Sequence, residues 1–197
     1  MNIAALITAN AARWRAMHVN TLRAPLVDEV AARLVAPDAK AQYQEVSAAT
    51  DVPWFVIAVI HERESSQSWR ASLAQGDPWN EVSIHVPRGI GPFGSWIAAA
   101  EYALKNCAPF AAKWTDWSVG GLLTLLEEYN GLGYANRGVP SPYVWASTDQ
   151  YVRGKYVADG HYDPSAVDTQ LGCAALLARM ALIDADVKAG LGNGNST

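Results

Sequence analysis

The stretch Asp51-Val-Pro-Trp-Phe-Val-Ile-Ala-Val-Ile-His-Glu-Arg-Glu-Ser-Ser-Gln-Ser-Trp69 joins an apolar segment directly to a cluster of charged residues. Asp51 is suited to an N-cap, and Pro53 in the first turn costs no hydrogen bond because the N–H group that proline lacks has no partner there. From Trp54 to Ile60 the residues are apolar on every helical face, which is typical of a helix that is buried all round. The stretch therefore predicts a rigid core helix with polar residues at its end.

Glu64 is the first functional candidate in this stretch. At helical spacing it shares a face with Ile57 and Ile60, whereas Glu62 points the opposite way. A carboxyl group held against apolar surface has a raised pKa, because burial disfavours its charged form, and a general acid that works near neutral pH needs such a pKa. The alternative is that residues 61–64 are only the solvated end of a core helix.

The composition favours a single domain over residues 1–197 with one sizeable core, because half of the residues are apolar. Charged residues make up 17% of the chain, the net charge is −4, and no basic run alternates with aromatic residues, so nucleic acid is not an expected partner. The eight Trp and eight Tyr residues are either core residues or surfaces for sugar rings.

The N-terminal residues carry no positive charge and only a short apolar run, which does not match a secretory signal, and no later segment is long enough to span a membrane. Cys107 and Cys173 lie in apolar helical contexts and are expected to be buried thiols rather than a disulfide. The histidines are dispersed, so neither a metal site nor another cofactor is expected. We expect a monomer.

The remaining pattern predicts further helices over residues 3–17, 26–36, 38–49, 96–107, 116–129 and from 165 or 168 to 188. Asp38 and Ser95 are expected to cap the helices that follow them, and Gly131 suits the position after a helix end. The last helix is expected to bury Leu171, Ala175, Leu176, Met180 and Ile183. Residues 1–37 form an N-terminal helical extension in this interpretation, and residues 190–197 a frayed tail.

Helical periodicity is absent from Trp69 to Gly94. Gly76-Asp77-Pro78 predicts a turn, because glycine and aspartate favour turns and proline pushes the residue before it towards an extended conformation. The alternation of apolar and polar residues from Val82 to Val86 predicts a short strand.

Glu64 followed directly by Ser65, with an apolar helix before the pair and Trp69 after it, resembles the catalytic helix of the lysozyme-like superfamily. The resemblance is to the branch of the soluble lytic transglycosylases and goose-type lysozymes, and only Glu64-Ser65 fits it, since Glu62 is followed by Arg. It covers about Asp38 to Tyr156 and implies a mainly α, α+β lysozyme-like single domain. In this family a small β element or loop wall beside the catalytic helix borders a substrate cleft.

Two later motifs extend the resemblance. Tyr129-Asn-Gly131 resembles the family's Tyr-Asn-Ala-Gly signature, which implies that Asn130 binds a sugar N-acetyl group and that Tyr129 orients Glu64. The alternative is a helix end without ligand contact. The segment from Thr148 to Tyr156 resembles the family's Thr-Arg-x-Tyr-Val-x-x-Val stretch and implies that Tyr151 lies near the acid.

Other residues are candidates for substrate binding. Gly91-Pro-Phe93-Gly stands where the family has a Gly-Leu-Met-Gln loop that lines the cleft, without matching it, so Gly91, Phe93 and Ser65 are expected to contact substrate. The alternative for this loop is an ordinary connection before a helix. Tyr143 and Trp145 are candidate platforms for sugar rings.

The resemblance implies cleavage of the β-1,4 bond between N-acetylmuramic acid and N-acetylglucosamine in peptidoglycan, with Glu64 as general acid. In a hydrolase of the inverting type a second carboxylate activates water, and Asp77, with Glu81 as the second choice, is the candidate. Asp77 is otherwise only a turn residue. In a lytic transglycosylase the muramyl 6-hydroxyl group attacks instead and one Glu suffices.

Two further alternatives are a chitinase or chitosanase and a non-catalytic protein that binds the cell wall. A wall-degrading enzyme without a secretory signal resembles a phage endolysin released by a holin. Such a protein would be made in the cytoplasm and would act on the wall from the periplasm or from outside.

Overall fold

The computed structural model describes residues 2–192, which are mainly helical and include one two-stranded sheet. The predicted mainly α class is confirmed. The helices of this part are α1 (Ile3–Ala16), α2 (Ala24–Leu34), α3 (Pro37–Thr50), α4 (Trp54–Ser65), α5 (Trp96–Asn106), α6 (Val119–Tyr129), α7 (Gly133–Asn136), α8 (Pro142–Trp145), α9 (Cys173–Ile183) and α10 (Ala185–Gly192). The strands are β1 (Lys155–Ala158) and β2 (His161–Asp163), and Ala111–Lys113 form a 3₁₀ turn.

The chain forms two compact units. The central unit comprises Ala32–Asp116, and the terminal unit comprises Met1–Ala31 together with Trp117–Thr197. The first contains α3, α4 and α5, and the second contains α1, α6 to α10 and both strands.

Helix α4 is the buried element of the central unit. Every residue from Trp54 to His61 is buried, as the all-apolar pattern predicts. Helix α3 packs against both α4 and α5. A fully buried side chain such as Ile57 or Ile60 contributes about 1.5–3 kcal/mol by leaving water, so this helix is fixed firmly in place.

The predicted helix starts need two corrections. Asp51 does not cap α4 but ends α3 in the left-handed conformation (φ 59°), which aspartate tolerates better than most residues, and Pro53 precedes the first turn of α4. Asp38 does not cap α3, because that helix already begins at Pro37, so Asp38 lies in the first turn where a negative charge faces free N–H groups. The predicted cap at Ser95 is confirmed, since its side chain accepts the N–H of Ala98.

The strand predicted over Val82–Val86 is wrong. No strand or helix occurs between α4 and α5, and the apolar side chains of this segment are exposed. Its polar groups bond to nearby side chains instead: the Ser83 hydroxyl donates to the carbonyl of Pro87 and accepts the N–H of Ile90, while Asp77 binds two further N–H groups. Local side-chain bonds of this kind compete with strand pairing.

The terminal unit is built on the contact between α1 and α6. Gly120 permits this contact, because a Cβ atom at that position would lie 2.5 Å from the carbonyl oxygen of Ile7. Helix α1 therefore packs closely on α6. Ser118 caps α6, so the helix begins at Val119, three residues later than Asp116, and Gly131 has the expected positive φ of 86° after its end.

The single C-terminal helix that was predicted is wrong in both its start and its continuity. Helix α9 begins only at Cys173, and a break at Asp184 separates it from α10, because the Asp184 carboxylate accepts the N–H groups of Asp186 and Val187. Of the residues that the predicted last helix was expected to bury, all are buried except Ile183, which is 56% exposed. Residues 190–192 belong to α10, and the rest of the predicted tail, 193–197, lies outside the described residues.

The small sheet lies in the terminal unit, where β1 and β2 pair antiparallel, and not in the segment that follows α4. Cys107 and Cys173 are buried free thiols, as expected. Within residues 2–192 no helix has both the length and the apolar character that a membrane span requires.

Candidate active site

Glu64 lies one residue before the end of α4 and is half-buried. The chain turns sharply behind it, since Ser66 (φ 53°) and Gln67 (φ 58°) both adopt the left-handed conformation and their N–H groups return to carbonyls of α4. The hydroxyl of Ser65 donates to the carbonyl of His61 at 3.1 Å. Two consecutive left-handed residues cost free energy, so surrounding contacts must hold this turn.

A buried histidine network supplies those contacts. Nε2 of His61 lies 3.0 Å from the carbonyl oxygen of Ser68, which can only accept, so this nitrogen carries the proton. Nδ1 then accepts from the hydroxyl of Tyr43 at 3.0 Å, and the side-chain amide of Gln67 donates to that hydroxyl at 3.1 Å. Each polar atom of the His61 ring thus has a partner, and the network ties α3 and α4 to the turn behind Glu64.

Burial sets the charge of this network. His61 is fully buried, with the rings of Trp69 and Trp96 each within 5 Å of its own, centroid to centroid. Burial lowers the pKa of His61 to about 4, so the ring is neutral near pH 7. The sequence did carry a signal for this role, because His61 directly continues the all-apolar run of α4.

Glu62, on the same helix end, has a cationic partner. Its carboxylate lies 2.8 Å from Nη2 of Arg33. Burial raises the pKa of Glu62, and the Arg33 guanidinium opposes that rise. An ion-paired carboxylate is poorly suited to donate a proton to a ligand, so Glu62 is a weak candidate for a general acid.

The loop at Gly76-Asp77 lies against the end of α4. Gly76 has a positive φ of 74°, and a Cβ atom there would lie 3.4 Å from the carbonyl oxygen of Glu64. The predicted turn is confirmed, because the N–H of Gly76 bonds to the carbonyl of Ser72 and the N–H of Ser72 bonds to the carbonyl of Asp77. Asp77 is therefore the direct neighbour of a residue that contacts the main chain of Glu64.

The Asp77 carboxylate is occupied on both oxygens. Oδ2 accepts the N–H groups of Ile84 and His85 at 2.9 and 3.0 Å, and Oδ1 accepts from Nδ1 of His85 at 2.5 Å. These hydrogen bonds, first of all the one from the His85 main chain, lower the pKa of Asp77. A carboxylate with a lowered pKa and occupied oxygens is a weak base, so the geometry favours the turn-forming alternative over a general base.

The second predicted loop packs on the first. The N–H of Phe93 donates to the carbonyl of Trp79 at 2.8 Å, and a Cβ atom at Gly91 (φ 86°) would lie 2.8 Å from the carbonyl of Glu81. The side chain of Glu81 is exposed. The loop between α4 and α5 thus contains three predicted site residues, Asp77, Gly91 and Phe93, and at Gly76 it approaches the main chain of Glu64.

Two residues of this loop were not predicted from the sequence. His85 pairs with Asp77, and the half-buried Trp79 donates from its indole N–H to the carbonyl of Trp69 at 2.8 Å. Trp79 is an aromatic residue two positions after Asp77 and half-exposed, which suits contact with a sugar ring. The only sign of this role in the sequence was that Trp79 directly follows Asp77-Pro78.

The other predicted residues lie in the terminal unit. Asn130 is the exposed C-cap of α6, next to the half-buried Tyr129. The hydroxyl of Tyr151 donates to the carbonyl of Gly154 at 3.2 Å and accepts the N–H of Asp168 at 2.9 Å. These two hydrogen bonds make the hydroxyl a structural bridge between two loops. Burial raises the pKa of Tyr151.

Tyr143 and Trp145 are not sugar platforms, and that prediction is wrong. Tyr143 is 3% exposed and Trp145 is fully buried, because α8 packs against α6 and α9. A Cβ atom at Gly172 would lie 2.5 Å from the carbonyl oxygen of Ala146, which shows how closely α8 and the start of α9 approach. Both rings are core residues of the terminal unit.

The terminal unit also contains a cavity of about 230 Å³ that the sequence did not indicate. Apolar side chains of α1 and of the segment around α7 line it, together with the charged Arg13 and Glu127. Glu127 is 1% exposed and accepts from the amide of Asn10 at 3.3 Å, and burial raises its pKa. The sequence sign that Glu127 is buried was its position directly after Leu125 and Leu126.

The described residues contain no group of three His, Cys, Asp or Glu side chains in an arrangement that could hold a metal ion. The candidate site consists of the half-buried Glu64 at the end of α4 and of a loop with an aspartate–histidine pair that approaches the Glu64 main chain. No protein-family model, curated protein or solved structure matches the chain.

Proposed function

We propose that this chain is a peptidoglycan-degrading glycosidase that cleaves the β-1,4 bond between N-acetylmuramic acid and N-acetylglucosamine, with Glu64 as general acid. The observation that carries the proposal is the position of Glu64 at the end of a helix that is buried from Trp54 to His61, directly before a tight turn and with the Gly76 loop close to its main chain. A general acid must stay within hydrogen-bonding reach of the atom that it protonates, and a rigid helix end meets that requirement.

In the proposed reaction Glu64 donates its proton to the glycosidic oxygen while the bond between that oxygen and C1 breaks. The transition state resembles an oxocarbenium ion, so protonation of the leaving oxygen relieves the charge that develops there. Asn130, which is exposed at the end of α6, is proposed to bind a sugar N-acetyl group. The half-exposed ring of Trp79 is a further surface for a sugar residue.

A lytic transglycosylase is the second candidate, and the state of Asp77 favours it. A hydrolase of the inverting type requires a second carboxylate that activates water, whereas both oxygens of Asp77 already accept hydrogen bonds. In a transglycosylase the 6-hydroxyl group of the muramyl residue attacks C1, and no second carboxylate is needed.

Mass spectrometry of the fragments released from purified peptidoglycan tests both candidates. Reducing muramyl ends would identify a hydrolase, and 1,6-anhydromuramyl ends would identify a transglycosylase. The same protein should release nothing from chitin or chitosan. Binding to peptidoglycan without release of fragments would contradict the proposal and would favour a non-catalytic wall-binding protein.

A further inference from the structure

The pairing of Asp77 with His85 fixes the protonation pattern of the imidazole ring. Oδ1 of Asp77 lies 2.5 Å from Nδ1 of His85, and because an ionised carboxylate only accepts, the proton is on Nδ1. A neutral ring then has its free lone pair on Nε2. The Asp77 side chain is 10% exposed while that of His85 is 69% exposed, so the pair presents a basic nitrogen at the surface over a covered carboxylate.

The same carboxylate fixes the orientation of the ring. Asp77 holds both the main-chain N–H and the side-chain Nδ1 of His85, and it also accepts the N–H of Ile84. These bonds keep Asp77 ionised, as its lowered pKa indicates. An ionised carboxylate bound to Nδ1 stabilises the imidazolium ion that forms when Nε2 takes up a proton.

The pair lies on the loop that packs against the main chain of the proposed acid. Gly76 is in contact distance of the Glu64 carbonyl, and Asp77 follows it directly, about 3.8 Å further along the chain. The loop that carries this imidazole base therefore meets α4 at the residue whose carboxyl group would donate the proton.

We propose that His85 accepts the proton of the attacking hydroxyl group in the reaction of this site and that Asp77 positions it. This inference rests on the proposed function. The attacking oxygen, from water or from C6 of the muramyl residue, forms the new bond to C1 and passes its proton to Nε2 of His85. Glu64 passes its own proton to the leaving oxygen as the old bond breaks. His85 then holds one proton more and Glu64 one fewer, and exchange with solvent restores both.

Two variants of His85 separate this role from a purely structural one. His85→Asn retains an N–H group near the position of Nδ1 that can still bond to Asp77, but its amide cannot accept a proton. His85→Ala removes the ring and leaves space for free imidazole. His18 supplies a matched control, because its Nδ1 pairs with Asp149 at 3.1 Å in the same manner and the proposal gives it no role.

The measurement is the initial rate of fragment release from purified peptidoglycan, with thermal melting as a check on folding. We expect His85→Asn and His85→Ala to be slower by on the order of 10²-fold or more, with little change in melting temperature, since a positioned base contributes about 10²–10⁴-fold. Added imidazole should speed His85→Ala at least about tenfold and leave His85→Asn unchanged. His18→Ala should keep the wild-type rate.

Two results would overturn the role of His85 while leaving the proposed function intact. One is a wild-type rate in His85→Asn. The other is a slow His85→Ala variant that imidazole does not accelerate. Either result would mean that the pair only stabilises the loop. A wild-type protein that releases no fragments would instead overturn the proposed function and this inference with it.

Discussion

The buried His61 predicts a specific loss of stability on acidification. Its pKa is about 4 in the folded chain against 6.5 for an exposed histidine. Between these two values the unfolded chain binds a proton that the folded chain excludes, so the stabilisation is fully present above pH 6.5 and is lost as the pH falls towards 4. The difference between the two pKa values corresponds to about 3 kcal/mol of unfolding free energy, a large part of the stability of a small protein.

Urea denaturation of the wild type and of His61→Gln, followed from about pH 7 to about pH 4, measures this loss. Gln cannot take up a proton, and its amide can still donate towards the Ser68 carbonyl. The variant is expected to be less stable near pH 7, by about 1–3 kcal/mol, because the Tyr43 hydroxyl loses its acceptor. The gap between the two proteins should close by about 3 kcal/mol as the pH falls.

The comparison isolates His61 from the other titrating groups. Burial raises the pKa values of Glu62 and Glu127, which acts in the opposite direction on acidification, but both carboxyls are present in both proteins and cancel in the difference. Two stability curves that stay parallel over this pH range would refute the reasoning that His61 is held neutral by burial.

Three further outcomes are expected. Tyr43→Phe leaves buried hydrogen-bonding groups without a partner and should lower the unfolding free energy by about 1–3 kcal/mol in urea, whereas removal of the hydroxyl from the partly exposed Tyr102 should change it by less than about 0.5 kcal/mol. Gly120→Ala should destabilise by about 1–3 kcal/mol, because the added Cβ atom would clash with a main-chain oxygen of α1, and Gly94→Ala, where nothing lies within 4 Å, should be neutral in the same melting assay. Asn130→Ala should slow fragment release with little change in melting temperature; normal release with a large melting shift would mean that Asn130 only ends the helix.

The helices were predictable because each carries its own apolar periodicity. The all-apolar run of α4 correctly indicated complete burial, and Ser95 and Gly131 marked helix ends by the local chemistry of capping. Asp51 shows the limit of this reasoning. Its side chain suits either a helix start or a left-handed helix end, and the sequence alone does not say which of the two helices it serves.

The loop after α4 was not predictable from local pattern. The alternation from Val82 to Val86 matches a strand, but the N–H groups of Ile84 and His85 bond to Asp77, seven and eight residues earlier. Such pairings depend on the closed shape of the loop rather than on neighbouring residues. For the same reason the partnership of His85 with Asp77 was not foreseen.

The candidate site was predicted in part. Residue types identified Glu64, and the Gly76-Asp77 turn proved to lie beside it in the central unit. The pairing of Tyr43 with His61 joins two helices and leaves no trace in the spacing of residues. Tyr143 and Trp145 were misassigned because composition does not distinguish an aromatic residue of the core from one at the surface.

The most direct test of the central claim is the rate of fragment release from purified peptidoglycan by Glu64→Gln and by Glu62→Gln. Both changes remove one carboxyl group from the same end of α4, but Glu62 is ion-paired with Arg33 and has no proposed part in the reaction. We predict that Glu64→Gln remains folded and is slower by at least about 10²-fold, because an amide cannot donate the proton, while Glu62→Gln keeps most of the wild-type rate. A wild-type rate in Glu64→Gln, or loss of activity in Glu62→Gln alone, would contradict the assignment of Glu64 as the acid.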